Sequence, residues 1–263
     1  QSAVWTENGG WENLPHLQDP VSCGSNLTTT YDLSGDGSTV VGLAWYDGCG
    51  ACAFHWTAES GIRCLPGPPD SKSNRANVVS YDASVIAGWD TRVGGGARRA
   101  TYWTAETPGD PFSAYTATLM GAPWYPPDPV NGPGEVLAMT NDGSAMGGDT
   151  HLGGETWIPG GFHWSVAEGF TFVEALTDTW GLWPQAMTPD GTVMVGITGT
   201  YQSPVRRAII WTEDTGTELL EARVHALGAD IGDFTYLGFA TGITADGKTI
   251  IGFTPGEGAW VIT

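Results

Sequence analysis

Two carboxylates and an arginine carry the first chemical signal. Asp32 falls in a column otherwise held by Val78, Ala138, Ala186 and Gly242, each four residues ahead of a recurrent Asp. A carboxylate at such a crowded position must be solvated, paired or bound to a cation. Arg75 and Glu135 share a second column, with Thr29, Trp183 and Phe239. If Asp32, Glu135 and Arg75 converge, the paired carboxylates suit acid–base work on a glycosidic bond. An Asp–Arg ion pair is the structural alternative.

Aromatic residues give the second signal. The chain holds 13 Trp. Trp5, Trp56, Trp103, Trp164 and Trp211 recur at one repeat position, which predicts packing between units. Trp45, Trp89, Trp124, Tyr125, Trp157, Trp180 and Trp183 are irregular and fall in or beside variable loops. Rings on stiff segments such as Trp124-Tyr125-Pro126-Pro127 suit stacking on sugar faces, because little entropy is lost on binding. Loops folded over their own aromatics would leave the same pattern.

Four Cys remain: Cys23, Cys49, Cys52 and Cys64. Four allow three connectivities. Cys49–Cys52 with Cys23–Cys64 is the expected pairing, since the first pair closes a hairpin locally. His55 and His163 share a column held elsewhere by Tyr102 or Val4, which predicts packing rather than metal binding. The chain has no nucleophile elbow, Walker loop or dinucleotide fingerprint. No cofactor is expected. Calcium at the repeated Asp would suit a hard oxygen ligand, but no twelve-residue calcium loop occurs.

The elements that position these residues repeat. LSGDGSTVVG (33–42), VSYDASVIAG (79–88), MTNDGSAMGG (139–148), MTPDGTVMVG (187–196) and ITADGKTIIG (243–252) each read as strand, turn, strand. Asp-Gly predicts a type I′ hairpin, with positive φ at both central residues. A second phrase follows each: AFHWT, ATYWT, GFHWS, AIIWT and AWVIT, with SAVWT at the N-terminus. Most lead through a short turn into a fourth apolar run. No segment keeps a 3.6-residue period over a helix length. The prediction is an all-β β-propeller of four-stranded antiparallel blades. Five first-strand phrases predict five blades in a single domain over 1–263, closed by the N- and C-terminal strands. The Asp-Gly turns and the third-to-fourth turns then share one end. The variable loops and the cysteines share the other, where binding is expected.

Composition excludes several partners. Lys+Arg is 10 and Asp+Glu is 29, a formal net charge of -19. Such a surface repels nucleic acid and anionic lipid. No apolar stretch is long enough for a membrane helix, so no membrane insertion is expected. Paired cysteines and an N-terminal Gln1 suit a processed protein of an oxidising compartment, extracellular or at the cell surface, with the periplasm as the alternative.

The two phrases resemble those of the extracellular HAF-repeat family, ITADGKTIIG and AFHWT most closely. The resemblance implies a secreted or surface-exposed repeat protein and brings no catalytic motif. The expected function is a non-catalytic binding protein that presents aromatic loops to an extracellular glycan or a surface partner protein. A glycoside-active enzyme using Asp32 and Glu135, and a structural surface or filament subunit, are the other two readings.

Overall fold

A computed structural model describes residues 2–15, 17, 28–46, 50–95, 98–121, 134–150, 160–176, 179, 181–199 and 205–263. The chain divides into two compact units, one built mainly from Gln1–Gly121 and the other from Pro133–Thr140 and Ser144–Thr263.

In the first unit, β1 (Ala3–Thr6) and β2 (Gly10–Asn13) form a two-stranded ribbon. β3 (Thr28–Leu33), β4 (Val40–Tyr46), β5 (Gly50–Thr57) and β6 (Gly61–Cys64) form a four-stranded sheet in chain order. So do β7 (Ser71–Val79), β8 (Val85–Arg92), β9 (Arg99–Ala105) and β10 (Tyr115–Leu119). In the second unit the same order recurs in β11 (Glu135–Met139), β12 (Ala145–Asp149), β13 (Gly160–Ser165) and β14 (Gly169–Glu174). It recurs again in β15 (Leu182–Met187), β16 (Val193–Thr198), β17 (Arg207–Thr212) and β18 (Gly216–Leu219). The last sheet has three strands, β19 (Phe239–Ile243), β20 (Ile250–Thr254) and β21 (Gly258–Ile262). Every pairing is antiparallel, as the short turns require. The terminal strands were expected to complete one sheet, yet β1–β2 and β19–β21 are separate sheets among the described residues.

Apolar residues between sheets form the cores. Val41, Ala53, Leu65, Ala76, Ile86 and Trp103 pack together in the first unit. Leu182, Met187, Met194, Ile209 and Trp211 do so in the second. The recurrent Trp is therefore a packing residue at Trp103 and Trp211, which are 0% and 6% exposed. Trp5 departs from that expectation at 56% exposure. Alternation explains it: Val4 packs on the core of Leu14, Val40 and Phe54, so its neighbour points the other way.

The Asp-Gly turn also differs from expectation. Only the Gly takes positive φ, +73° at Gly37 and +69° at Gly247. The turn is a four-residue loop closed by side chains. Asp36 Oδ1 accepts from the Ser34 hydroxyl at 2.7 Å and the Ser38 N–H at 2.9 Å. The Ser34 hydroxyl oxygen accepts from the Thr39 N–H at 2.9 Å. Thr188, Asp190 and Thr192 repeat this arrangement, as do Thr244, Asp246 and Lys248. In the second copy Ala83 holds the Gly position at φ +56°.

Among the described residues one α-helix appears, α1 (Leu220–Ala226). Leu220 and Val224 are its buried face. Seven residues are too few for a helical period to emerge from the sequence.

The disulfide pairing is corrected. Cys52 bonds Cys64, with Cα atoms 5.7 Å apart. In the β5–β6 register Cys64 faces Phe54. Cys52 lies two residues from Phe54 on the same strand face, so Cys52 and Cys64 are diagonal neighbours on that face. Cys23 and Cys49 lie outside the described residues.

Candidate functional site

A shared backbone irregularity positions the candidate residues. The first strand of each of the five larger sheets carries a bulge, between Thr30 and Asp32, Ala76 and Val78, Val136 and Ala138, Pro184 and Ala186, and Ala240 and Gly242. The glycine closing each turn phrase sits against it. A Cβ at Gly42, Gly88, Gly148, Gly196 or Gly252 would overlap the carbonyl oxygen of Thr29, Arg75, Glu135, Trp183 or Phe239. The repeat thus demands Gly where the bulge brings two backbones together. It also fixes Arg75 and its column one or two residues ahead of each bulge, toward the loop-rich end.

Around Arg75 the first unit gathers an aromatic and cationic cluster. The guanidinium carbon lies 4.6 Å from the Tyr31 ring centroid and 5.3 Å from that of Trp89. Arg75 Nε donates to Asn77 Oδ1 at 2.6 Å, and Nη1 donates to the Tyr31 hydroxyl at 3.3 Å. Arg98 lies over Trp89 at 4.8 Å. Trp89 belongs to β8 rather than to a loop and is 8% exposed, packed on Leu43 and Ala51. Tyr31 stays 46% exposed and Trp45, at the end of β4, 36%. Ala51 also lines a cleft of about 450 Å³, with Cys52, Cys64, Pro68, Lys72 and Asn74. One edge of the cleft is therefore continuous with the packing under Trp89.

Behind the cluster lies an ion-pair network. Arg99 grips both oxygens of Asp70 at 3.0 Å and also meets the fully buried Asp90, which the Ser71 hydroxyl contacts. Burial pushes the Asp90 carboxyl up, against the pull of Ser71 and Arg99. The network pins the start of β9 to β8 and so holds Arg98 in place.

Asp32 has a structural task. Its Oδ1 accepts from the Leu33 N–H and its Oδ2 from the Val79 N–H, both at 2.9 Å. It therefore ties β3 to β7. Burial raises its pKa, against the pull of the two N–H donors. Glu135 lies in the second unit, 6% exposed, and its N–H donates to Asp149 Oδ1 at 2.8 Å. Trp183 also belongs there, half-buried on β15 under Arg206 at 4.8 Å. Trp124, Tyr125, Trp157 and Trp180 lie outside the described residues.

Sequence reasoning missed Tyr31, Asn77 and Arg98. The signal was the doubled Arg98-Arg99 before Ala100, repeated as Arg206-Arg207 before Ala208. In both, the first Arg covers a Trp and the second enters an ion pair, Arg207 with Glu221. Among the described residues no group of three His, Cys, Asp or Glu could hold a metal ion.

Fold and site together define an all-β protein of four-stranded propeller-type blades that carries an arginine–aromatic cluster. A solved structure agrees at the level of fold. The chain is similar to a TolB-like protein from Agrobacterium tumefaciens, with 15% identity and a TM-score of 0.53 over 86% of this chain and 69% of that one. It is also similar to TolB from Acinetobacter baumannii, with 13% identity and a TM-score of 0.48 over 87% of this chain and 50% of that one. No protein-family model and no curated protein matches. The disulfide is consistent with a secreted or periplasmic protein, and no described helix is long and apolar enough to cross a membrane.

Proposed function

We propose that the protein is a secreted or surface-exposed binding protein of HAF-repeat type. In this reading residues 1–263 form one five-bladed propeller whose loop-rich end takes an extracellular carbohydrate. The supporting observation is the stack of Tyr31, Arg75, Trp89 and Arg98 beside the cleft at the Cys52–Cys64 bond. An exposed ring fixed by a guanidinium behind it is a rigid platform for a sugar face. The Arg75 fork supplies donors for hydroxyl oxygens at the platform's edge. Asp32 serves the backbone here, so no catalytic role is assigned to it.

Calorimetry against a panel of neutral oligosaccharides tests the reading. Binding without turnover is expected, weakened about tenfold or more in Tyr31→Ala and Arg75→Ala. Binding that neither substitution changes would remove this site from the proposal. Release of reducing ends would replace it with the glycosidase reading.

A further inference from the structure

The opposite end of the first unit holds a second cavity, of about 330 Å³. It exists because one turn is long. The β9–β10 loop runs from 106 to 114, whereas the β5–β6, β13–β14 and β17–β18 turns span 58–60, 166–168 and 213–215. The long loop is braced from within. The Glu106 N–H donates to Ala114 O at 2.8 Å, the Thr107 N–H to Ser113 Oγ at 3.0 Å and the Phe112 N–H to Asp110 Oδ1 at 2.9 Å. Arg63 clasps it from outside, stacking on Phe112 and donating to its carbonyl at 3.2 Å.

His55, from β5, lines this cavity and is 3% exposed. Its ring lies 5.1 Å from that of Tyr115. No hydrogen bond from a described residue reaches either of its nitrogens. An imidazole that no described residue bonds, and whose nitrogens are not sealed off by packing, is open to an occupant of the cavity it lines. Burial, with the Arg63 charge second, pushes it down to about 4, so the ring is neutral near pH 7 and keeps one acceptor nitrogen. Tyr115 is not available as that partner, because its hydroxyl donates to Ala83 O at 2.9 Å. Trp56 supplies a second aromatic wall.

The rim carries Glu59, Asp82 and Asp110. Asp82 and Asp110 also hold their own turns. Glu59 has no hydrogen bond or ion pair among the described residues, so its charge is not committed to the fold. Arg63, which stands opposite His55 in the β5–β6 register, is turned onto Phe112.

We propose that this cavity binds a small organic cation, a primary amine or guanidine on an apolar body. The cationic head takes the His55 nitrogen as acceptor and Glu59 as counter-charge, and the body lies against Trp56 and Tyr115. Three carboxylates at the mouth repel anions, and aromatic faces attract cations. A chain of net charge -19 concentrates cations around itself. A neutral ligand of the same shape would gain the apolar contacts and lose the charge terms.

Calorimetry with benzylamine, benzyl alcohol and benzoate on the full chain separates these terms. We expect saturable single-site binding of benzylamine, about tenfold or more tighter than benzyl alcohol, and none of benzoate. Glu59→Gln alters an exposed, unpartnered side chain and leaves the fold intact. It should weaken benzylamine about tenfold while benzyl alcohol is unchanged. The imidazole resonances of His55, assigned by their loss in His55→Phe, should shift on titration, and those of His163 should not. Arg75→Ala should leave benzylamine binding unchanged, which keeps this site distinct from the loop-rich end. Equal affinity for amine and alcohol, an unchanged Glu59→Gln, or an unmoved His55 resonance would each overturn the proposal.

Discussion

Among the described residues Ala83 is the one non-glycine with positive φ, at +56°. The other turns place glycine there at little cost, whereas a Cβ in the left-handed region costs about 1–2 kcal/mol. Ala83 is 7% exposed, so its methyl recovers part of that cost by burial. Its carbonyl holds the Tyr115 hydroxyl, and glycine would keep that bond. Ala83→Gly should therefore stabilise the protein by about 0.5–1 kcal/mol, read as a higher urea midpoint with an unchanged slope. A lower midpoint would mean that the buried methyl outweighs the backbone strain. In the sequence this turn differs from the other four, because Asp82 is followed by Ala rather than Gly. The sequence did not show that the chain keeps the same backbone there. The Asp82 Oδ1 still accepts from the Ser84 N–H at 3.0 Å, so side-chain bonding imposes the conformation that glycine adopts elsewhere.

The bulge and its glycine make each first hairpin a unit, and the same contact sets the cost of changing it. At Gly196 a Cβ would overlap the Trp183 carbonyl and crowd Pro184 Cα. Backbone on both sides leaves no side chain free to yield. Gly196→Ala should cost about 2–4 kcal/mol, whereas Gly121→Ala, with no described atom within 4 Å of the added methyl, should change stability little. Thermal melts of the two variants against the parent check this; similar melting temperatures would mean that the bulge relaxes freely. This contact also explains how much of the fold was legible. A glycine forced by backbone overlap and a Trp buried between sheets recur at fixed spacing, so the strands were found and aligned from sequence. The cysteine pairing was not, because a diagonal bond depends on the β5–β6 offset, and local closure of Cys49–Cys52 was the simpler guess. Arg75 and Trp89 were read as site residues, yet the burial of Trp89 follows from Leu43 and Ala51 on two other strands, β4 and β5. The turn-end cavity was missed because its cause is an insertion, ETPGDPFSA at 106–114, inside an otherwise uniform turn.

At the scale of the whole molecule, three kinds of titrating group compete as pH falls. His55 is held at about 4 in the folded chain, against about 6.5 when unfolded. Between those values the unfolded chain binds a proton that the folded chain refuses, so stability falls with pH across that window. The full shift corresponds to about 3 kcal/mol, most of it lost by pH 5. His163 is lowered too, mainly by burial, and adds in the same direction. The turn carboxylates Asp36, Asp82 and Asp190 are held below their usual range, first by hydroxyl hydrogen bonds. Their contribution persists above the ordinary carboxylate pKa and disappears only as pH falls through their own lower values. Asp32 has the opposite sign: burial raises it, so its protonation offsets part of the loss. Relief of repulsion among the 29 acidic residues also stabilises, but it needs carboxylate protonation and so begins near the bottom of the window. From pH 7 to pH 5 the histidines therefore decide the slope. Urea unfolding at pH 7, 6 and 5 should show a steady loss of stability, and His55→Phe should remove more than half of it. Phe fills the space against Tyr115 and takes up no proton, so its profile isolates the imidazole. Parallel profiles for parent and variant would show that His55 is not held neutral by burial, and the acid sensitivity would then have to come from the carboxylates.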